Sequence, residues 1–115
     1  MEIRTIERRR NERFHLRMAL HYRVSQKGAV TRSGSGMTVD MSTNGVSFRC
    51  RKPLPEGTHI EIAIDWPARH DDVYPVDLLV TGFVVRSDHG RTAVRITSRR
   101  FRVSPQPAES IRASA

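Results

Sequence analysis

From residue 15 onward the apolar positions recur every second residue. In LRMALHYRV, Leu16, Met18, Leu20, Tyr22 and Val24 fall on one face, while Arg17, His21 and Arg23 fall on the other. That alternation predicts a half-buried strand, because successive side chains of an extended chain point to opposite sides. SQKG and RSGSG read as turns on either side of a short strand, AVTR. MTVDM places Met37, Val39 and Met41 inward, TNG is a tight-turn signal, and VSFRC alternates again. PLPEG is a loop. HIEIAIDW puts Ile60, Ile62, Ile64 and Trp66 on one side, and PARHDDVYP reads as a longer polar loop. VDLLVTGFVVR is a more apolar strand whose central Gly82 predicts a bulge or sharp bend. SDHG then turns the chain into RTAVRI.

About six short strands with turn signals roughly every ten residues, and no convincing amphipathic helix, predict an antiparallel sandwich or barrel. Residues 103–115, VSPQPAESIRASA, are small and polar with two prolines, and predict a frayed tail with at most one helical turn at AESIRA. A chain of 115 residues is one domain on length alone. The expected organisation is a flexible basic arm over residues 1–14, the strands over 15–102, and the tail over 103–115.

Charge sharpens this picture. The formal net charge is +8, which points to an anionic partner. Of 20 basic residues all but Lys27 and Lys52 are arginine. Arginine grips a phosphate through two parallel hydrogen bonds and stacks on a base, whereas lysine is a point charge. Four of the arginines crowd into ERRRNERF, residues 7–14. The single cysteine, Cys50, allows no intrachain disulfide, suits a reducing cytoplasm, and falls in step with Val46 and Phe48 as a small buried residue. MEIRTIERRR has no apolar run, so no signal peptide is expected, and no stretch approaches the length of a membrane-spanning helix.

Catalytic chemistry has little to work with. The five histidines are scattered with no pair at metal-ligand spacing, and there is no nucleophile elbow or phosphate-binding glycine loop. No catalytic residue, metal or cofactor is expected. Two elements stand out instead. Arg9 and Arg13 are spaced RxxxR, a spacing that recurs elsewhere in the chain. Asp40 to Gly45, DMSTNG, has the form DxSxxG and occurs once, where one strand gives way to the next. Asp40 can accept hydrogen bonds from a ring N–H or fix an arginine's direction. Ser42 offers a hydroxyl, and Gly45 lets a ligand approach the backbone and fits a left-handed turn position. The same residues also serve an ordinary β-turn.

Taken together and in this order, the two elements resemble the PilZ domain family. RRNERF, VDMSTNGVSF and the later GFVVR and GRTAVRI follow its pattern over roughly residues 8–100. The resemblance implies an all-β fold, a six-stranded antiparallel β-barrel behind a flexible basic N-terminal arm, with a short tail where many members close with a helix. It implies a receptor for the bacterial second messenger cyclic di-GMP, with no enzymatic activity. Arg9 and Arg13 would clamp phosphate and guanine, and Asp40, Ser42 and Gly45 would receive the rest of the ligand. Arg8, just before the motif, matches a family position at which arginine favours two intercalated ligand molecules over one. The implied partners are cyclic di-GMP and an unknown downstream protein, in the cytoplasm, with no membrane insertion. The alternatives are a small basic barrel that binds RNA or single-stranded DNA, disfavoured by few exposed aromatics, and an adaptor that keeps the fold without the ligand.

Overall fold

A computed structural model describes residues 15–107. Six antiparallel strands run through them: β1 (Ala19–Gln26), β2 (Ala29–Met41), β3 (Gly45–Arg49), β4 (His59–His70), β5 (Tyr74–Asp88) and β6 (Arg91–Val103). Their pairing closes on itself in the order β1-β2-β3-β6-β5-β4. Three hairpin turns each put two consecutive residues at positive φ: Lys27 and Gly28, Asp71 and Asp72, and His89 and Gly90. Such turns match the twist of the strands they join.

The interior is filled from every strand except at its small positions. Leu20, Val24, Phe48, Ile60, Ile64 and Val84 are almost wholly buried. Tyr22 packs on Phe48 with ring centroids 5.7 Å apart. Cys50 is buried as expected, its Sγ 3.1 Å from Thr92 Oγ1.

Several expectations from the alternation are corrected. RSGSG is not a turn; it lies within the continuous strand β2. Its glycines make room inside the ring. A Cβ on Gly34 would stand 2.6 Å from the Tyr22 hydroxyl, and one on Gly36 would collide with the Arg49 carbonyl. PARHDDVYP is not a loop either, since β4 continues to His70 and turns directly into β5. Leu16 is 44% exposed because it precedes β1 and lies outside the closed ring. In MTVDM only Met41 packs against the core. Thr38 pairs with Phe48 and Asp40 with Ser47, so Val39 is an extra, bulged residue. The bulge breaks the alternation: Met37 is exposed, Val39 is half-buried, and Thr38 is buried in its place.

Gly82 does mark an irregularity. Gly82 pairs with Ile96 and Thr81 with Ser98, which leaves Thr97 as the extra residue on β6. Beyond it Arg99, Phe101 and Val103 lie opposite the buried Val80, Leu78 and Val76 and cover one end of the ring. Phe101 meets Trp66 edge-on there, at 5.3 Å between centroids. The helical turn expected at AESIRA lies outside the described residues.

The tight approach of β2 to β3 gives a direct test. Gly36→Ala forces a methyl group onto a carbonyl held in the β3 ladder. Overpacking of this kind costs ~1–3 kcal/mol. Thermal or urea melts are expected to show that loss, and an unchanged midpoint would contradict the packing.

Candidate ligand-binding site

Val46 and Phe48 point into the core, so Ser47 between them points outward. Thr92 and Val94 are likewise internal, which turns Ala93 outward beside Ser47, its cross-strand partner. On the other side Ala93 faces Arg86 of β5. Along β6 the outward neighbours of Ala93 are Arg91 and Arg95, which pair with Arg49 and Gly45 of β3. The result is a shallow floor of small residues, Gly45, Ser47 and Ala93, with arginines around it. Gly45 has no left-handed φ, which corrects the turn role expected of it. A Cβ there would lie 3.3 Å from the Val94 carbonyl, so the residue serves close approach of backbone instead.

Asp40 joins this face because of the Val39 bulge, which sets it across from Ser47. Although on the outer side, it is only 6% exposed. The Ser47 hydroxyl donates to Asp40 Oδ1 at 2.8 Å. Arg91 Nη2 donates to Asp40 Oδ2 at 2.9 Å and to Ser47 Oγ at 3.1 Å. A buried carboxylate needs such partners, since an uncompensated charge is costly to desolvate. The triad therefore ties β2, β3 and β6 together and fixes the direction of one arginine. Arg49, Arg86, Arg91 and Arg95 outnumber the carboxylates at this face, Asp40 and the exposed Asp88 that pairs with Arg91.

Ser42 sits at the rim. Its amide donates to the Gly45 carbonyl at 2.8 Å and closes the connection between β2 and β3. Arg99 Nη1 donates to the neighbouring Thr43 carbonyl at 2.5 Å. Ser42, Trp66, Phe101 and Arg99 share a cavity of about 330 Å³ at the end of the ring. Asp40, Ser42 and Gly45 thus occupy one corner, but Asp40 serves the arginine face and Ser42 borders the end cavity.

The chain enters this corner under control of Thr38. Thr38 N donates to the Met18 carbonyl at 2.9 Å, and Met18 N donates to Thr38 Oγ1 at 2.8 Å. The Thr38 hydroxyl in turn donates to the Leu16 carbonyl. The segment preceding β1 is therefore clamped two residues from Asp40. Arg8, Arg9 and Arg13 lie outside the described residues. Ser47, Arg91 and Arg95 lie outside both sequence motifs. The signal for Ser47 was a polar residue between two core positions; nothing local marks Arg91 as the partner of Asp40.

The family model for the PilZ domain matches residues 7–112, nearly the whole chain. The chain belongs to the PilZ family. The solved crystal structure of the PilZ domain of CeSA from a cellulose synthesizing bacterium is similar to it, with a TM-score of 0.60 and 18% identity over 76% of this chain and 81% of that one. At that identity the likeness concerns the fold. A search of curated proteins finds no match. PilZ domains are, as a family, cyclic di-GMP receptors and adaptors, not enzymes. No helix among the described residues of this PilZ chain is long and apolar enough to cross a membrane.

Asp40 and Arg91 are in direct contact, so their substitutions should not add. A double-mutant cycle on Asp40→Ala and Arg91→Ala, read by denaturant melts, is expected to give a coupling of ~0.5–3 kcal/mol. Additive losses would contradict the triad.

Proposed function

We propose that this protein is a cyclic di-GMP receptor whose ligand lies against the outer face of β2, β3 and β6. The observation that carries the reading is Ala93, a small residue flanked by Arg86, Arg91 and Arg95, beside the buried Asp40. A guanine lies flat on such a floor, and arginine matches its O6 and N7 acceptors with two hydrogen bonds. The remaining guanidinium groups face the two phosphodiesters. Asp40 holds Arg91 in position for the ligand, and Gly45 keeps the floor open beside the Ser42 rim.

The arm completes the site. Arg13 is three residues before Leu16, and three residues span at most ~11 Å. With Leu16 and Met18 clamped by Thr38, that length allows Arg13, and Arg9 and Arg8 behind it, to reach the Asp40 corner. Arg9 and Arg13 close over the ligand, and the ordering of the arm presents ligand occupancy to a downstream protein. No catalytic step and no cofactor enter this reading.

Titration calorimetry with cyclic di-GMP, beside GTP and a single-stranded oligonucleotide, tests it. Binding is expected for cyclic di-GMP alone. Arg9→Ala and Arg13→Ala are each expected to weaken it at least about tenfold, the usual cost of a charge-assisted hydrogen bond. No heat with cyclic di-GMP would support the ligand-free adaptor, and preferential binding of the oligonucleotide would support a nucleic-acid barrel.

Stoichiometry tests Arg8 separately. Two intercalated ligands carry four negative charges and need a cationic face against the outer guanine, which a guanidinium supplies and a leucine does not. About two ligands per chain are expected for the natural sequence and about one for Arg8→Leu. One ligand in both proteins removes Arg8 from the site.

A further inference from the structure

The end of the ring away from Asp40 carries a second cationic cleft. A cavity of about 380 Å³ opens between β1, the first half of β2 and the segment after β3. Arg32, Arg51 and Lys52 line it together with Ser33 and Ser35, and no carboxylate does. Gly34 and Asp40 are six residues apart along β2, which is roughly 20 Å at strand rise. The cleft is therefore separate from the arginine face.

Two features distinguish it from an ordinary charged surface. Arg32 is anchored, its Nη1 donating to the Pro53 carbonyl at 2.7 Å, and its other N–H groups are left to serve a ligand. Tyr22 reaches the cleft from inside. The residue is only 6% exposed, and its hydroxyl stands at the wall made by Gly34. A tyrosine hydroxyl at such a wall is placed to donate to whatever enters the cleft. Burial raises the Tyr22 pKa further from neutrality, so the hydroxyl is protonated there. Gly34 is what leaves it reachable, since any side chain there would cover it.

We propose that this cleft binds the terminal phosphate of a phosphate monoester, with Tyr22 donating from the floor and Arg32, Arg51 and Lys52 surrounding the charge. The donor set favours a monoester over a diester. A terminal phosphate offers three free oxygens and close to two negative charges at neutral pH, whereas a diester offers two oxygens and one charge.

The test is a titration of the ¹⁵N-labelled protein at constant ionic strength with glycerol 3-phosphate and, in parallel, dimethyl phosphate. Saturable shifts are expected at the amides of residues 33–35 and 51–52 with the monoester, and none at Gly45 or Ala93. Tyr22→Phe is expected to weaken binding about tenfold with the rest of the spectrum unchanged. Should that variant disturb the fold, the pair Arg51→Gln and Lys52→Gln serves instead, with the same loss expected. Co-sedimentation with vesicles bearing a phosphomonoester headgroup, abolished by the same variants, would place the source in a lipid; saturable binding of glycerol 3-phosphate without co-sedimentation would place it in solution. Shifts that never saturate, that dimethyl phosphate reproduces, or that survive both sets of substitutions would overturn the proposal. None of these outcomes depends on whether cyclic di-GMP binds.

Discussion

The buried carboxylate of Asp40 is the constraint around which the rest of this molecule is arranged. A charge with 6% exposure on the outside of a sheet requires fixed partners. Ser47 supplies one hydrogen bond and Arg91 an ion pair, and these come from two further strands. To reach them Asp40 has to face outward, opposite in sense to the simple alternation of β2. The extra residue at Val39 achieves that, while Thr38 turns inward and clamps the chain that enters β1. One bulge thus sets the direction of Arg91, the exposure of Met37 and the path by which the N-terminal segment arrives.

Small residues do the complementary work. Gly45 and Ala93 hold the arginine face flat, and Gly34 and Gly36 let Tyr22 and the β3 backbone close the interior. Where bulky side chains would have given a thicker core, the ring gains a reachable surface at each end. Polar groups are set into those surfaces, Asp40 at one and the Tyr22 hydroxyl at the other. The fold shared with other PilZ domains supplies the frame, and these particular substitutions of bulk by space decide what that frame can hold.

Much of this was legible in the sequence, for local reasons. Period-two patterning identifies Leu20, Tyr22 and Val24, or Ile60, Ile62 and Ile64, because a strand's own neighbours decide which face it buries. KG and HG announce hairpins by their backbone requirements. Gly82 announces a pairing irregularity for a different reason, since a Cβ there would collide with the Arg95 carbonyl. RSGSG misleads because glycine signals a turn locally, while here its absence of side chain is needed by Tyr22 and Phe48, which arrive from other strands. The Val39 bulge is invisible because MTVDM alternates well; only pairing with β3 decides it. Asp40 and Ser42 stand out as a motif, yet Arg91 is 51 residues from Asp40 and becomes its partner only through the register of β3 on β6. Arg8, Arg9 and Arg13 lie outside the described residues, and the role proposed for them rests on the sequence pattern and on the Thr38 clamp at Leu16 and Met18.

The central claim is that the outer face of β2, β3 and β6 receives the ligand. A ¹⁵N-detected titration with cyclic di-GMP tests it most directly, since each amide reports its own surroundings. Saturable shifts are expected at Ser42, Gly45, Ser47, Arg91, Ala93 and Arg95, with the amides around Gly34 unmoved. Saturable shifts confined to the opposite end of the ring, or none anywhere with excess ligand, would contradict it.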